Sequence, residues 1–197
     1  MSWARRLSEV VVTPQAIEIA GRLDTDPRRI QIVLDESVRI VRDQRVLIVE
    51  THHGYVCANA GVDHSNVPGA DMVSLLPRDC DVSARTIRTR LGEVFAAEVV
   101  VIVSDTFGRP WRNGVTNVAL GVAGMAPLED LRGGHDDNGE ALTATVVATA
   151  DELAAAAGLV MGKTARIPVV LIRGLHPDRG DGGGAELIRP ATEDLFR

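Results

Sequence analysis

Aromatic residues are scarce in this sequence of 197 residues, since Phe, Trp and Tyr together make up only 3% of it. A core with so few rings must be built from Val, Ile, Leu and Ala, and the hydrophobic fraction is 45%. That fraction and the chain length are enough for a globular protein with a substantial buried core. Two of the few aromatic residues, Phe107 and Trp111, nevertheless fall in one short stretch, SDTFGRPWRNG (104–114).

Cysteines and long apolar runs are also few. Cys57 and Cys80 cannot form a disulfide framework and lack the spacing of metal ligands, so we expect both to be reduced. No apolar run approaches the roughly 20 residues needed to cross a bilayer, and the beginning of the sequence lacks an apolar signal core. We therefore expect a soluble, cytoplasmic protein without a membrane partner.

Positive charge is in deficit. The sequence has 21 Lys and Arg against 27 Asp and Glu, which gives a net charge of -6. Because nucleic-acid backbones require clustered basic residues, this balance predicts no nucleic-acid partner. If the ligand is an anion, local arginines or metal ions must overcome the field of the protein.

Apolar periodicity predicts helices that alternate with strands. Asp26 and Pro27 are typical of a helix start, and Ser83 is expected to cap a second helix. Thr149 and Glu152 have the spacing of a capping box for a third helix, which Gly162 would end. The first two helices would bury one face each, with apolar positions Ile30, Val33, Leu34, Val38 and Val41 in the first and Ile87, Leu91, Val94 and Phe95 in the second.

Three apolar stretches predict buried strands, at 45–51, 97–105 and 167–174. The middle one has no polar residue between Glu98 and Ser104, so we expect it to be covered on both faces. Periodicity alone would favour an α/β fold.

A polar loop follows the strand at 45–51 and carries Asp63 and Asn66 among Gly, Ala and Asn. Small neighbours let the backbone approach a ligand closely, so a carboxylate and an amide could meet on one ligand there. An ordinary Asx turn is the alternative.

Asp105 and Thr106 follow the apolar run at 99–103, after Ser104. Ligand sites in α/β proteins cluster at such strand ends. Asp and Thr oxygens suit Mg²⁺ or Mn²⁺, and Arg109 and Arg112 beyond them suit phosphate or carboxylate oxygens. An apolar strand followed by Asp is also typical of haloacid-dehalogenase phosphatases, but Phe107 stands where those enzymes need a second acid.

Other polar groups have weaker patterns. His52 and His53 are adjacent, and adjacent strand residues point to opposite faces, so we expect structural roles for them and for His64. The acidic loop at 130–138 does not have EF-hand spacing. The stretch MGKTARIP (161–168) resembles the end of a phosphate-binding loop only weakly, because it would follow a helix rather than begin one.

Taken in order, several stretches resemble the coenzyme F420-0:L-glutamate ligase family, the γ-glutamyl ligases of deazaflavin coenzyme synthesis. The resemblance covers nearly the whole chain, and several ordered motifs are far more specific than any single one. The stretches are ETHHGYVCANAGVDHSNV, LLPRDCDVSARTIRTRL, VIVSDTFGRPWRNG, DLRGGHDDNGEAL, ADELAAAAGLVMGK, IPVVLIRG and LIRPATEDLFR.

The resemblance implies an α+β fold of two interlocked subdomains, in a single ligase-like domain over residues 1–197 that forms a homodimer. It implies an enzyme that uses GTP and Mg²⁺ or Mn²⁺ to activate the lactyl carboxylate of coenzyme F420-0 as an acyl phosphate. The amine of L-glutamate then displaces phosphate, and some members add further γ-linked glutamates.

The family's site residues carry over by motif. Asp63, Asp105 and Thr106 match metal ligands, and Arg109 and Arg112 are our candidates for clamping the substrate. The residues that would contact the nucleotide are Asn66, Met161, Gly162, Lys163, Thr164, Ala165, Arg166, Ile167 and Pro168.

Two departures from the family pattern stand out. Members normally begin with a further segment that helps to bind the nucleotide, so we expect an N-terminally shortened version of the fold. Lys163 stands where some members offer a ligand to a second metal ion, and an ammonium group cannot ligate. A non-catalytic homologue or partner subunit, which binds metal and dimerises without turnover, is therefore the alternative hypothesis.

Overall fold

The computed structural model describes residues 3–65 and 67–194, and the chain divides into two compact units, Met1–Asp79 and Cys80–Arg197. Helices and small sheets occur in both units, and the paired strands of the described residues are all antiparallel. This is the α+β class that the family resemblance implies, and the α/β pattern suggested by periodicity is wrong. The expectation of a single domain over residues 1–197 stays a prediction.

In the first unit, two helices and two small sheets enclose apolar clusters that include Ile19, Ile32, Leu47 and Val73. β2, β3 and β4 form one sheet and β1 pairs with β5. The elements are β1 (Trp3–Arg6), α1 (Pro14–Leu23), α2 (Pro27–Asp35), β2 (Ser37–Gln44), β3 (Val46–Thr51), β4 (Val56–Ala58) and β5 (Met72–Leu75), with short 3-10 turns at Leu7–Glu9 and Asn59–Gly61.

The start of α2 is as predicted, because the Asp26 carboxylate accepts a hydrogen bond from the Arg28 backbone N–H at 2.8 Å and Pro27 follows. The strand expected at 45–51 is confirmed as β3. α2 ends at Asp35, however, so Val38 and Val41 lie in β2 and are exposed. A β-branched sequence that can pair with β3 forms a strand there, in place of the continued apolar face that periodicity suggested.

The second unit is built around a long antiparallel ribbon of β6 and β7, against which α3 and α4 pack. Its core contains Ala119, Val122, Met125, Ala150 and Ala154. The elements are α3 (Cys80–Phe95), β6 (Val101–Arg109), β7 (Arg112–Ala123), β8 (Glu129–Asp130), β9 (Val146–Val147) and α4 (Thr149–Met161), with 3-10 turns at Gly184–Leu187 and Ala191–Glu193.

The strand expected at 97–105 differs from its prediction in place and in environment. It begins at Val101, continues to Arg109, and is half-buried in a two-stranded ribbon rather than covered on both faces. Asp105 and Thr106 therefore lie inside β6 and not beyond its carboxyl end.

Two predicted helix caps are wrong. α3 begins three residues before Ser83, which is buried inside the helix, and Val94 and Phe95 at its end are exposed. Thr149 is the first residue of α4 rather than its cap, and its Oγ1 is buried with no hydrogen-bond partner. Gly162 does end α4, with φ of 57° and its N–H bonded to the Gly158 carbonyl.

The buried strand expected at 167–174 is also wrong. These residues form neither helix nor strand, and most of their apolar side chains are exposed. β-branched runs pack as strands only where neighbouring strands receive them, and no described strand pairs with this one. The exposed side chains, here extended to residue 175, are Ile167, Val169, Leu171, Ile172 and Leu175.

Both cysteines are free and buried, in agreement with the expectation that they are reduced. Within the described part of the chain, no helix has both the length and the apolar character to span a membrane.

Gly121 allows β7 and α3 of the second unit to pack closely. A Cβ at this position would lie 2.2 Å from the Cys80 carbonyl oxygen, so β7 and the start of α3 can approach only because Gly121 has no side chain. We expect Gly121→Ala to lower the free energy of unfolding by about 3 kcal/mol through this overlap, measured by urea denaturation.

Gly108→Ala is the matched control, because Gly108 lies in the same ribbon and an added Cβ would meet nothing within 4 Å. It is expected to change stability by no more than about 0.5 kcal/mol. Equal losses in the two variants would contradict the role given to Gly121.

Candidate functional site

In the first unit, Asp63 is held in a tight turn. Its carboxylate accepts the Ser65 backbone N–H at 2.9 Å and the Ser65 hydroxyl at 2.6 Å from each oxygen. The Asp63 backbone is bridged to Ser74 in β5, which fixes where the turn sits. The Asx turn that was the alternative interpretation is therefore present, and it presents an ordered carboxylate.

Asp63 is ionised near neutral pH. Burial raises the pKa of this carboxyl, but hydrogen bonds from Ser65 and the His64 backbone outweigh that effect and hold the pKa below its ordinary value. An ionised carboxylate suits a cation. Asn66, the predicted nucleotide contact next to it, lies outside the described residues.

In the second unit, Thr106 is the centre of a polar cluster. Its hydroxyl donates to the Asn117 side-chain oxygen at 2.9 Å across the ribbon, and its backbone N–H donates to Asp105 Oδ1 at 2.7 Å. The Asn117 amide in turn donates to Met161 Sδ at 3.7 Å, at the end of α4. Two strands and a helix end thus converge on one hydroxyl group.

Lys163 completes this cluster. Its ammonium donates to Thr106 Oγ1 at 2.5 Å. Lys163 follows the carboxyl end of α4, where the helix dipole favours a positive charge. It is also the single lysine of a sequence whose other basic side chains are arginines. A lysine ammonium is a compact point charge, unlike the planar guanidinium of arginine, and is closer in shape to a metal cation.

Asn117 was not identified from the sequence, and the reason is the register of the ribbon. Counting back from the paired Arg109 and Arg112 in a regular hairpin places Val115 opposite Thr106. A register shift between Gly108 and Arg109 instead brings Asn117 opposite it. A bulge cannot be recognised reliably from a single sequence. The one sequence feature that could have indicated a role for Asn117 is its polar side chain in a largely apolar stretch.

Arg109 and Arg112 lie at the tip of the ribbon, on either side of a turn in which Trp111 has φ of 56°. Both are exposed, and neither forms a salt bridge within the described part of the chain; Arg109 donates only to the Asn113 carbonyl, at 3.3 Å. They are free to bind an anion. Their role as a substrate clamp stays a prediction.

The remaining predicted nucleotide contacts form an exposed segment after α4. Only Met161 is partly buried, and Arg166 has φ of 56°, so the segment turns sharply twice, at Gly162 and at Arg166. Lys163 is the residue that ties it to the ribbon. The other members are Thr164, Ala165, Ile167 and Pro168.

The histidines have structural contacts. His52 contacts the Asp35 carbonyl at 3.0 Å, and His53 contacts the Pro77 carbonyl at 2.8 Å and stacks on Tyr55. In the acidic loop, Asp130 pairs with Arg132 at 2.6 Å. Among residues 3–65 and 67–194, no three His, Cys, Asp or Glu side chains are grouped so as to hold a metal ion.

The predicted metal ligands differ in how well they fit a cation. Asp63 is ordered and ionised, and Asp105 supplies a second hard carboxylate. Thr106 has only one lone pair left, because it already donates to Asn117 and accepts from Lys163. An ion at Thr106 would have to displace the ammonium or lie beside it. Asp63 belongs to the first unit and the other two to the second, so their sharing of one ion stays a prediction.

These features define an α+β protein with two carboxylate-bearing segments and an ammonium–hydroxyl–amide cluster suited to anionic ligands. Residues 3–174 match the model of the family described as F420-0:Gamma-glutamyl ligase. The chain belongs to this family, which confirms the resemblance found in its motifs.

Three curated relatives are each named coenzyme F420:L-glutamate ligase. The protein of Methanothermobacter thermautotrophicus is 48% identical over 97% of this chain and 77% of its own length. The protein of Methanocaldococcus jannaschii is 44% identical over 96% and 76%, and that of Methanopyrus kandleri is 43% identical over 97% and 78%. The chain thus spans about three quarters of the length of these relatives.

The contact between Lys163 and Thr106 predicts how the cluster responds to metal. A divalent ion about 4 Å from an ammonium is repelled by about 2 kcal/mol even in water. We therefore expect Lys163→Met to tighten Mn²⁺ binding about tenfold, measured by electron paramagnetic resonance of the free ion.

Arg166→Met is the matched control, since it removes the same charge from the same segment without a contact to Thr106. If both variants bind Mn²⁺ equally well, the hydrogen bond to Thr106 has no bearing on the metal.

Proposed function

We propose that the protein is a GTP-dependent ligase that joins L-glutamate to the lactyl carboxylate of coenzyme F420-0 and adds further γ-linked glutamates. The observation that carries the proposal is similarity at 43–48% identity over 96–97% of the chain to proteins named coenzyme F420:L-glutamate ligase. The anion-binding character of the cluster around Thr106 supports it.

The chemistry proceeds in two steps. An oxygen of the lactyl carboxylate attacks the γ-phosphorus of GTP, forms an acyl phosphate and releases GDP. The amine of L-glutamate then attacks the acyl carbon, a C–N bond forms as the C–O bond to phosphate breaks, and the amine loses a proton as phosphate leaves. All three substrates are anions, so a protein with a net charge of -6 must concentrate positive charge where they meet.

Residues of the chain supply part of that charge. Lys163 would contact phosphate oxygens of the nucleotide at the end of α4, while Asn117 holds Thr106 in place. Arg109 and Arg112 would bind the phosphate or carboxylates of the precursor. Asn66 and the backbone of residues 161–168 would hold the rest of the nucleotide.

Asp63 and Asp105 would serve as ligands of Mg²⁺ or Mn²⁺, with the remaining lone pair of Thr106 as a third candidate. Such an ion neutralises charge that develops on a transferred phosphoryl group.

A direct assay tests the proposal. Purified protein is mixed with F420-0, L-glutamate, GTP and Mn²⁺, and the mass of the product is measured by mass spectrometry. We expect a mass increase of one or more glutamyl units, with GDP released over repeated turnovers only when both F420-0 and L-glutamate are present. A chain that binds Mn²⁺ but never adds a glutamyl unit would be the non-catalytic homologue.

Asp105→Asn is expected to lower kcat/KM by about a hundredfold, since it removes a charge at the phosphoryl-transfer centre. Asp136→Asn is the control, because this acid lies in an exposed loop and accepts only local backbone hydrogen bonds. Equal effects of the two changes would remove Asp105 from the site.

We further propose that the protein is a homodimer with interlocked subdomains, in which a second copy covers the apolar run at 167–175. Five large apolar side chains of this run are exposed, with exposed fractions of 41% for Ile167, 78% for Val169, 65% for Leu171, 42% for Ile172 and 52% for Leu175. Surfaces of this kind are typical of subunit interfaces.

Light scattering on a sizing column is expected to give twice the 21.0 kDa of one chain. The double change Val169→Lys and Leu171→Lys should reduce the mass to that of the monomer, because it places two charges in the interface. Ile17→Lys, on the exposed face of α1, is the control. A dimer that survives the double change must be held together elsewhere.

A further inference from the structure

The first unit contains a small cleft. Asp63 lines it, and no other predicted site residue of the described chain does. Its volume is about 190 Å³, and its floor is the apolar core, including Ile30 and Leu47. Sites for drug-sized ligands are roughly 300–1,000 Å³, so this cleft suits a ligand no larger than an amino acid. Its rim is polar and consists of Thr25, Arg29, Arg45, Asn59, Asp63 and His64.

Arg29 has a guanidinium donor that is buried without a partner. Arg29 lies in the first turn of α2, and its Nε is buried and makes no hydrogen bond. Leaving such a donor unpaired costs free energy, since it gives up its bonds to water and gains none from the protein. The neighbouring Arg28, by contrast, is paired with Asp26 at 2.6 Å.

Arg45 is the second unpaired guanidinium at the cleft. It occupies the turn between β2 and β3 with φ of 66°. In the described part of the first unit, every other arginine has a salt bridge, a side-chain hydrogen bond or a ring contact. These paired residues are Arg5, Arg6, Arg22, Arg28, Arg39, Arg42 and Arg78.

The charges of the rim match one class of ligand. Two unpaired guanidinium groups can each bind a carboxylate, and Asp63 places a carboxyl group at the same cleft. A small ligand with two carboxylates and an amino group complements this set. An acidic amino acid has this composition, whereas a nucleotide or a deazaflavin exceeds the available volume.

We propose that this cleft is the binding site of the acceptor L-glutamate, with Arg29 and Arg45 binding its two carboxylates. The amino group then lies on the side of Asp63. The inference rests on the proposed ligase function for the identity of the ligand, and the binding site itself rests on the unpaired arginines.

Calorimetry on the purified chain, with L-glutamate and without F420-0 or GTP, tests the site apart from turnover. Arg29→Gln and Arg45→Gln are each expected to weaken glutamate binding at least tenfold and to leave GTP binding within twofold of the unchanged protein. Arg42→Gln is the matched control, because Arg42 is an exposed arginine of β2 that bonds only Gln44. L-Glutamine, which lacks the second carboxylate, should bind more weakly than L-glutamate to the unchanged protein, and this preference should be lost in one of the two variants.

Folding is checked by urea denaturation. Since Arg29 Nε has no partner to lose, Arg29→Gln should not lower the unfolding midpoint. As a measurement that needs no variant, L-glutamate should protect Arg29 and Arg45, but not Arg42, from modification by phenylglyoxal, mapped by mass spectrometry.

The outcomes separate the two proposals. Turnover with an unchanged KM for glutamate in both arginine variants would overturn the cleft and leave the ligase function standing. Glutamate binding that depends on both arginines, in a chain without ligase activity, would support the cleft and refute the ligase function. Failure of L-glutamate to protect either arginine in the unchanged protein would also overturn the cleft.

Discussion

The pairing of Thr106 with Asn117 across the β6–β7 ribbon is the interaction on which the second unit's polar cluster depends. It places a hydroxyl and an amide side by side at 2.9 Å, and the amide reaches the end of α4 through Met161. α4 in turn is anchored to the ribbon, because Asp151 in its first turn accepts the Ala119 backbone N–H at 2.8 Å. The ribbon and the helix thus fix each other, and Lys163 lies where the helix ends.

Charge is the second constraint. An acidic protein that acts on anions has to keep some cations out of internal salt bridges, since a paired guanidinium is already neutralised. In the described part of the chain, Arg29, Arg45, Arg109 and Arg112 have no salt bridge, while most other arginines of the first unit do. Lys163 is bound only to a neutral hydroxyl. These five cations are among those that no internal ion pair neutralises.

Local rules predicted the parts of the fold that depend on local chemistry. The start of α2 at Asp26 and Pro27, the strand predicted at 45–51 and the end of α4 at Gly162 follow from caps, β-branching and glycine conformation. The prediction at 167–174 was wrong because a strand needs partners that lie elsewhere. The α+β class and the family came from ordered motifs, and periodicity alone favoured the wrong class.

The candidate site residues also divide into those that local sequence predicts and those that only the folded chain reveals. Asp63, Asp105 and Thr106 could be named from short motifs, because each motif carries its own turn or strand. Asn117 could not, since a register shift between Gly108 and Arg109 decides what faces Thr106. Arg29 and Arg45 could not either, because what distinguishes them from the other arginines of their unit is the lack of a partner, which is a property of the folded chain. A buried guanidinium donor without a partner, such as Arg29 Nε, lowers stability unless a ligand compensates it, and this is the physical reason for locating the binding of a small anion beside it.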